Sequence, residues 1–94
     1  MAIRHIVLFR VHDWVTDAAI DAAIGRLESL STLPVVQSMR VARSLDERKG
    51  RVIVEDATFE DHRDFDSFRG APEHLAAAAE LAQISDWVVG DYAD

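Results

Sequence analysis

The 94 residues carry a formal net charge of −7, from 10 Lys and Arg against 17 Asp and Glu. That balance argues against nucleic-acid and anionic-membrane partners, which need basic surfaces, and the lack of cysteine excludes disulfides, thiolate metal sites and cysteine nucleophiles. An apolar fraction of 49% is that of a globular chain, read as a single domain over residues 1–94 whose modest core gains from oligomerisation.

The opening "MAIRHIVLFR" is too short and too charged for a signal peptide or a membrane span, so a cytoplasmic location is expected. Residues 3 to 11 alternate, with Ile3, His5, Val7, Phe9 and Val11 on one face and Arg4, Ile6, Leu8 and Arg10 on the other. This predicts a strand with apolar residues on both faces. Thr16 is placed to cap a helix over 17–31, where Ile20, Ala23, Ile24, Leu27 and Leu30 form one apolar stripe. "STLP" ends it, because the residue before a proline disfavours helix.

Residues 36–45 and 51–59 read as a hairpin joined by the charged turn "DERKG". "EDHRDFDSFRG" predicts a short helix stopped by Gly70, and Pro72 opens a second one. "SDWVVGDY" closes the chain as a strand. The order β-α-β-β-α-α-β predicts an α+β fold, a ferredoxin-like antiparallel sheet with helices on one face. Ile6, Leu8, Val52 and Val54 then remain on the open face, more apolar surface than water tolerates well. Two sheets packed face to face would bury it, so a homodimer is expected.

Few residues carry chemistry. His12 and His62 read as exposed, and their spacing makes no metal site. Asp61, Asp64 and Asp66 read as the acidic start of a helix, with weak cation binding as the rival reading. No nucleotide-binding glycine motif and no nucleophile elbow occurs. Trp14 and Trp87 read as packing residues. No cofactor and no metal is expected.

The segments "IRHIVLFRVHD", "ATFEDHRDFDSFRGAPEHLA" and "VVGDY" together resemble the stress-responsive α/β-barrel (Dabb) family along nearly the whole chain. One departure is visible: Ala71 stands where the family's turn has its first histidine. The resemblance implies a ferredoxin-like subunit that dimerises through its sheets into an α/β barrel. Family functions range from stress-related proteins of undefined activity to plant polyketide cyclases working by intramolecular aldol condensation. By that likeness His74 stands at the catalytic base, His5 at a supporting histidine, and Phe68 at a tyrosine whose hydroxyl is therefore missing.

The residues themselves leave alternatives open. His74, in a helix's first turn where a cation is disfavoured, suits a neutral base, or else only bonds a backbone carbonyl. His5 suits either a ligand contact or a satisfied core residue. Glu55 shares a face with Ile53, Ala57 and Phe59, the pocket face by family register; it is either desolvated and paired with a histidine or solvated at an open strand end. Val7, Phe9, Ile24, Leu27, Trp87 and Val89 are candidates for an apolar cavity holding a small aromatic or polyketide-like molecule. The functional expectation is a cofactor-independent cyclase or lyase. Its alternatives are a non-catalytic stress-response binding protein and, by architecture, a cofactor-free monooxygenase.

Overall fold

The computed structural model describes Met1–Asp94. Four strands form one antiparallel sheet in the order β2-β3-β1-β4: β1 is Ile3–Val11, β2 Ser38–Arg43, β3 Val52–Phe59 and β4 Ser85–Ala93. Three α-helices, α1 (Asp17–Glu28), α2 (His62–Gly70) and α3 (Pro72–Ile84), complete the ferredoxin-like α+β fold. No helix is long and apolar enough to cross a membrane.

The alternation of β1 decides which face is covered. Ile3, His5, Val7, Phe9 and Val11 are buried toward the helices, with Ile53, Ala57 and Phe59 of β3 beside them. Against these pack Ile20 and Leu27 of α1, Phe65 and Phe68 of α2, and Ala77 and Leu81 of α3. The opposite face carries Leu8 at 45% and Val88 at 71% exposure, paired directly in register. On that face Arg4 donates two hydrogen bonds to Asp56, at 2.7 and 2.8 Å. The guanidinium holds the Asp56 carboxyl below the usual carboxylate range.

Several boundaries differ from the sequence reading. The α-helix stops at Glu28, and Ser29–Thr32 continues as a 3-10 turn. Ser29 Oγ donates to the Arg26 carbonyl and Thr32 Oγ1 to that of Ser29, so hydroxyls draw on the helix's own acceptors and tighten the last turn. β2 is shorter than 36–45, because the Val36 N–H bonds back to Leu33 and Ser44 Oγ accepts from the Asp46 N–H in a local turn. Gly70 does not stop α2 through a left-handed conformation; the only positive φ in the chain is at Gly50, in the hairpin turn. The break falls at Ala71, held extended as the residue before Pro72.

The acidic run at α2 also resolves. Asp61 caps the helix by accepting from the Asp64 N–H at 2.9 Å, and Asp66 pairs with Arg69 at 2.6 Å. These are helix-start and helix-surface contacts. His12 is half-buried rather than exposed, and Trp14, expected to pack, is 70% exposed and stacks on the His12 ring.

Candidate functional site

A cavity of about 340 Å³ lies between the sheet and the helices, a size suited to a small molecule, for which roughly 300–1,000 Å³ is usual. Its floor is built by period-two alternation. β1 contributes His5, Val7 and Phe9, and β4 sets Asp91, Val89 and Trp87 opposite them in register. Glu55 of β3 joins from the other side of Val7. Leu27 of α1, Phe65 and Arg69 of α2, and His74, Ala77 and Ala78 of α3 cover it.

The floor is polarised along its length. The His5–Asp91 and Phe9–Trp87 pairs are four residues apart, about 13 Å at roughly 3.3 Å per residue. At the apolar end Phe9 and Trp87 meet edge to face with centroids 5.4 Å apart. At the polar end two carboxylates meet one imidazole. His5 Nδ1 is 2.6 Å from Asp91 Oδ1, and Nε2 is 3.3 Å from Glu55 Oε2.

Carboxylate oxygens only accept, so both ring nitrogens of His5 must carry a proton for both contacts to attract. Burial by itself lowers the His5 pKa, but Glu55 and Asp91 outweigh it and raise the value above the ordinary 6.5. The geometry and the raised pKa both favour the imidazolium form of His5. One positive charge against two carboxylates leaves the trio net negative.

His74 is built differently. Pro72 starts α3, and in its first turn His74 Nδ1 lies 3.0 Å from the Arg69 carbonyl oxygen. A carbonyl can only accept, so Nδ1–H donates, and in the neutral ring Nε2 keeps a free lone pair. The Phe68 ring, 4.6 Å away by centroid, backs the imidazole. Both alternatives read from the sequence thus meet in one residue: His74 bonds a backbone carbonyl and also lines the cavity.

Of the residues singled out in the sequence, His5, Val7, Phe9, Leu27, Glu55, His74, Trp87 and Val89 come together around this cavity. Ile24 and Phe68 do not line it. Ile24 is half-buried against the core, while Leu27 takes the cavity-facing position. Phe68 is fully buried behind the wall, between the rings of Phe59 and His74. Glu55 is not solvated at an open strand end: it is 2% exposed. His5 has carboxylates facing both nitrogens, so it positions them rather than meeting a ligand unencumbered.

Sequence reasoning missed Asp91, Phe65, Arg69, Ala77 and Ala78. A signal for Asp91 existed, since it alternates with Trp87 and Val89 along β4. Only the β1–β4 register, however, brings it to His5.

Residues 3–94 match the model of the stress responsive A/B barrel domain, Dabb. The chain belongs to this family. Among solved structures, a dimeric ferredoxin-like protein of unknown function from Thermobifida fusca is 28% identical to this Dabb chain, with a TM-score of 0.89 over 100% of this chain and 92% of its own. The hydroxynitrile lyase of Passiflora edulis is 26% identical, with a TM-score of 0.85 over 97% of this chain and 91% of its own. SnoaB, a cofactor-independent oxygenase from Streptomyces nogalater, is 21% identical with a TM-score of 0.82, covering 99% of this chain and 92% of its own, and shares the fold alone. No curated protein matches the chain by sequence.

Proposed function

We propose that this Dabb chain is a homodimeric, cofactor-independent enzyme of the lyase or aldol-cyclase type, with His74 as its general base. The observation that carries this reading is the Nδ1–H bond from His74 to the Arg69 carbonyl, which leaves Nε2 as a proton acceptor on a ring lining the cavity. A base that works near neutral pH needs such a lone pair within reach of the proton it removes. In a lyase step Nε2 takes the proton of a substrate hydroxyl, the oxygen's electrons form a carbonyl, and the adjacent carbon–carbon bond breaks. The leaving carbanion then recovers that proton. In an aldol closure Nε2 takes a proton beside a carbonyl, the enolate carbon attacks a second carbonyl, and the alkoxide is protonated. Both need one base and no redox partner.

The homodimer reading rests on the open sheet face, where Leu8 and Val88 are exposed side by side. The Thermobifida fusca relative, which is dimeric, supports it. The likeness to the Passiflora lyase favours carbon–carbon cleavage over oxygen chemistry, since SnoaB is the more distant in sequence.

The test is a panel of aromatic cyanohydrins, followed by cyanide release, and of linear β-polyketide thioesters, followed by ring product. Turnover by the wild type and its loss in His74→Gln is the expected result. Absence of turnover on both classes, or full turnover by His74→Gln, overturns the reading.

A further inference from the structure

The least explained group in the cavity is Glu55. Its side chain is 97% buried and lines the cavity, and the one polar contact it makes with the protein is the long 3.3 Å approach of Oε2 to His5 Nε2. A buried carboxylate ordinarily takes two or more hydrogen bonds, and leaving one without donors costs more than leaving out a neutral group. The surrounding elements do not supply them. Val7 and Val41, its register partners on β1 and β2, are apolar, and Phe65 of α2 is a hydrocarbon ring. Asp91 is a second acceptor. Arg69, the one guanidinium of the cavity wall, is paired with Asp66 and lies over the Phe65 ring. The His74 Nδ1–H is already given to the Arg69 carbonyl.

We propose that Glu55 is the specificity residue of this cavity, accepting a hydrogen bond from a hydroxyl or ammonium head on an otherwise apolar, aromatic ligand. The chemistry is set by what the polar end lacks. It holds two carboxylates against one imidazole, both of whose nitrogens face them, so it is short of free donors and long in negative charge. A ligand carboxylate or phosphate there meets two like charges and an imidazole whose nitrogens already face carboxylates. A hydroxyl or an ammonium meets an acceptor already desolvated and aimed into the cavity. The ligand's body then extends toward Val89, Phe9 and Trp87. This deepens the reading of the site as a small-molecule pocket: it names the ligand's polar group and the residue that selects it.

Three probes of one shape test it: 2-naphthylmethanol, 2-naphthylmethylammonium and 2-naphthoate, titrated into the full chain by calorimetry and ligand-observed NMR. A hydrogen bond to a charged acceptor supports about tenfold discrimination or more. The expected result is that the alcohol or the ammonium binds the wild type at least about tenfold more tightly than the carboxylate. Preference for the alcohol indicates hydroxyl recognition, and preference for the ammonium indicates charge recognition. Glu55→Gln should reduce that ratio to near one by letting the carboxylate bind. If Glu55→Gln does not fold, the Glu55 side-chain carboxyl carbon resonance of the wild type is followed instead, and it should move with the alcohol or ammonium and not with the carboxylate. Equal binding of all three probes, no binding of any, or an unchanged ratio in Glu55→Gln overturns the proposal. The probes are not turned over, so their selectivity can fail while His74-dependent catalysis stands, and the reverse.

Discussion

His5 and Asp91 are separated by 86 positions, yet their Nδ1 and Oδ1 atoms stand 2.6 Å apart. β1 and β4 are neighbours in the sheet, so the two ends of the chain meet at the polar end of the cavity. The pair does more than close the sheet. It holds the imidazole, and favours its protonated form, beside Glu55, where an unpaired carboxylate would otherwise be buried.

A pH dependence follows from this arrangement. The His5 pKa lies above 6.5 in the folded chain because Glu55 and Asp91 outweigh the effect of burial. A raised pKa means that the folded state binds the proton more tightly than the unfolded one. Its stabilisation is therefore complete below the unfolded value and disappears as pH rises through the folded value. Urea midpoints measured across pH 6 to 9 should fall over that window, and the fall should shrink in Asp91→Asn. An NMR titration placing His5 below 6.5 would show that burial wins instead.

His74 is predicted to matter for chemistry far more than for folding. His74→Ala removes one exposed hydrogen bond to the Arg69 carbonyl, worth about 1 kcal/mol at most. Denaturation should show a loss of that order. Loss of a general base should lower kcat by about 10²–10⁴-fold on any substrate the wild type turns over. A variant that unfolds would instead make His74 a structural strut.

Leu8 tests the assembly. It is 45% exposed on the open sheet face, between Val54 and Val88 in register. Leu8→Asp leaves the chain's own core untouched but puts a charge into a sheet-to-sheet contact, a cost of several kcal/mol unless it reaches water. Sedimentation at micromolar concentration should show a dimer for the wild type and a folded monomer for the variant. A monomeric wild type would mean that the open face is simply solvated.

Phe68 links core and site. It is fully buried, with Phe59 4.8 Å and His74 4.6 Å away between ring centroids. Phe68→Ala should cost about 3–5 kcal/mol through the cavity it leaves. It should also lower kcat where the protein still folds, because the His74 ring loses its backing. Phe68→Leu, which keeps most of the volume, should recover the larger part of the stability. Comparison of the two by thermal melts and kinetics separates packing from positioning.

The sequence by itself determined the elements and the faces they bury. Period-two alternation in β1 and the apolar stripe of α1 are local patterns, and each dictates a buried side whatever lies against it. Pro72 likewise marks the start of α3 from local sterics alone. Which cavity residue meets which was not local. Asp91 lies on the same face of β4 as Val89 and Trp87, but nothing in that strand says that His5 stands opposite. The β1–β4 register decides it, and that register is set by packing across the whole chain. The same holds for Glu55. One strand face was readable, whereas its 2% exposure depends on the helices covering that face. Ile24 and Leu27 share a stripe on α1, and only the helix's seating on the sheet turned Leu27, and not Ile24, toward the cavity. Patterns fix faces because they follow from backbone geometry. Partners across the fold depend on distances that no single segment contains.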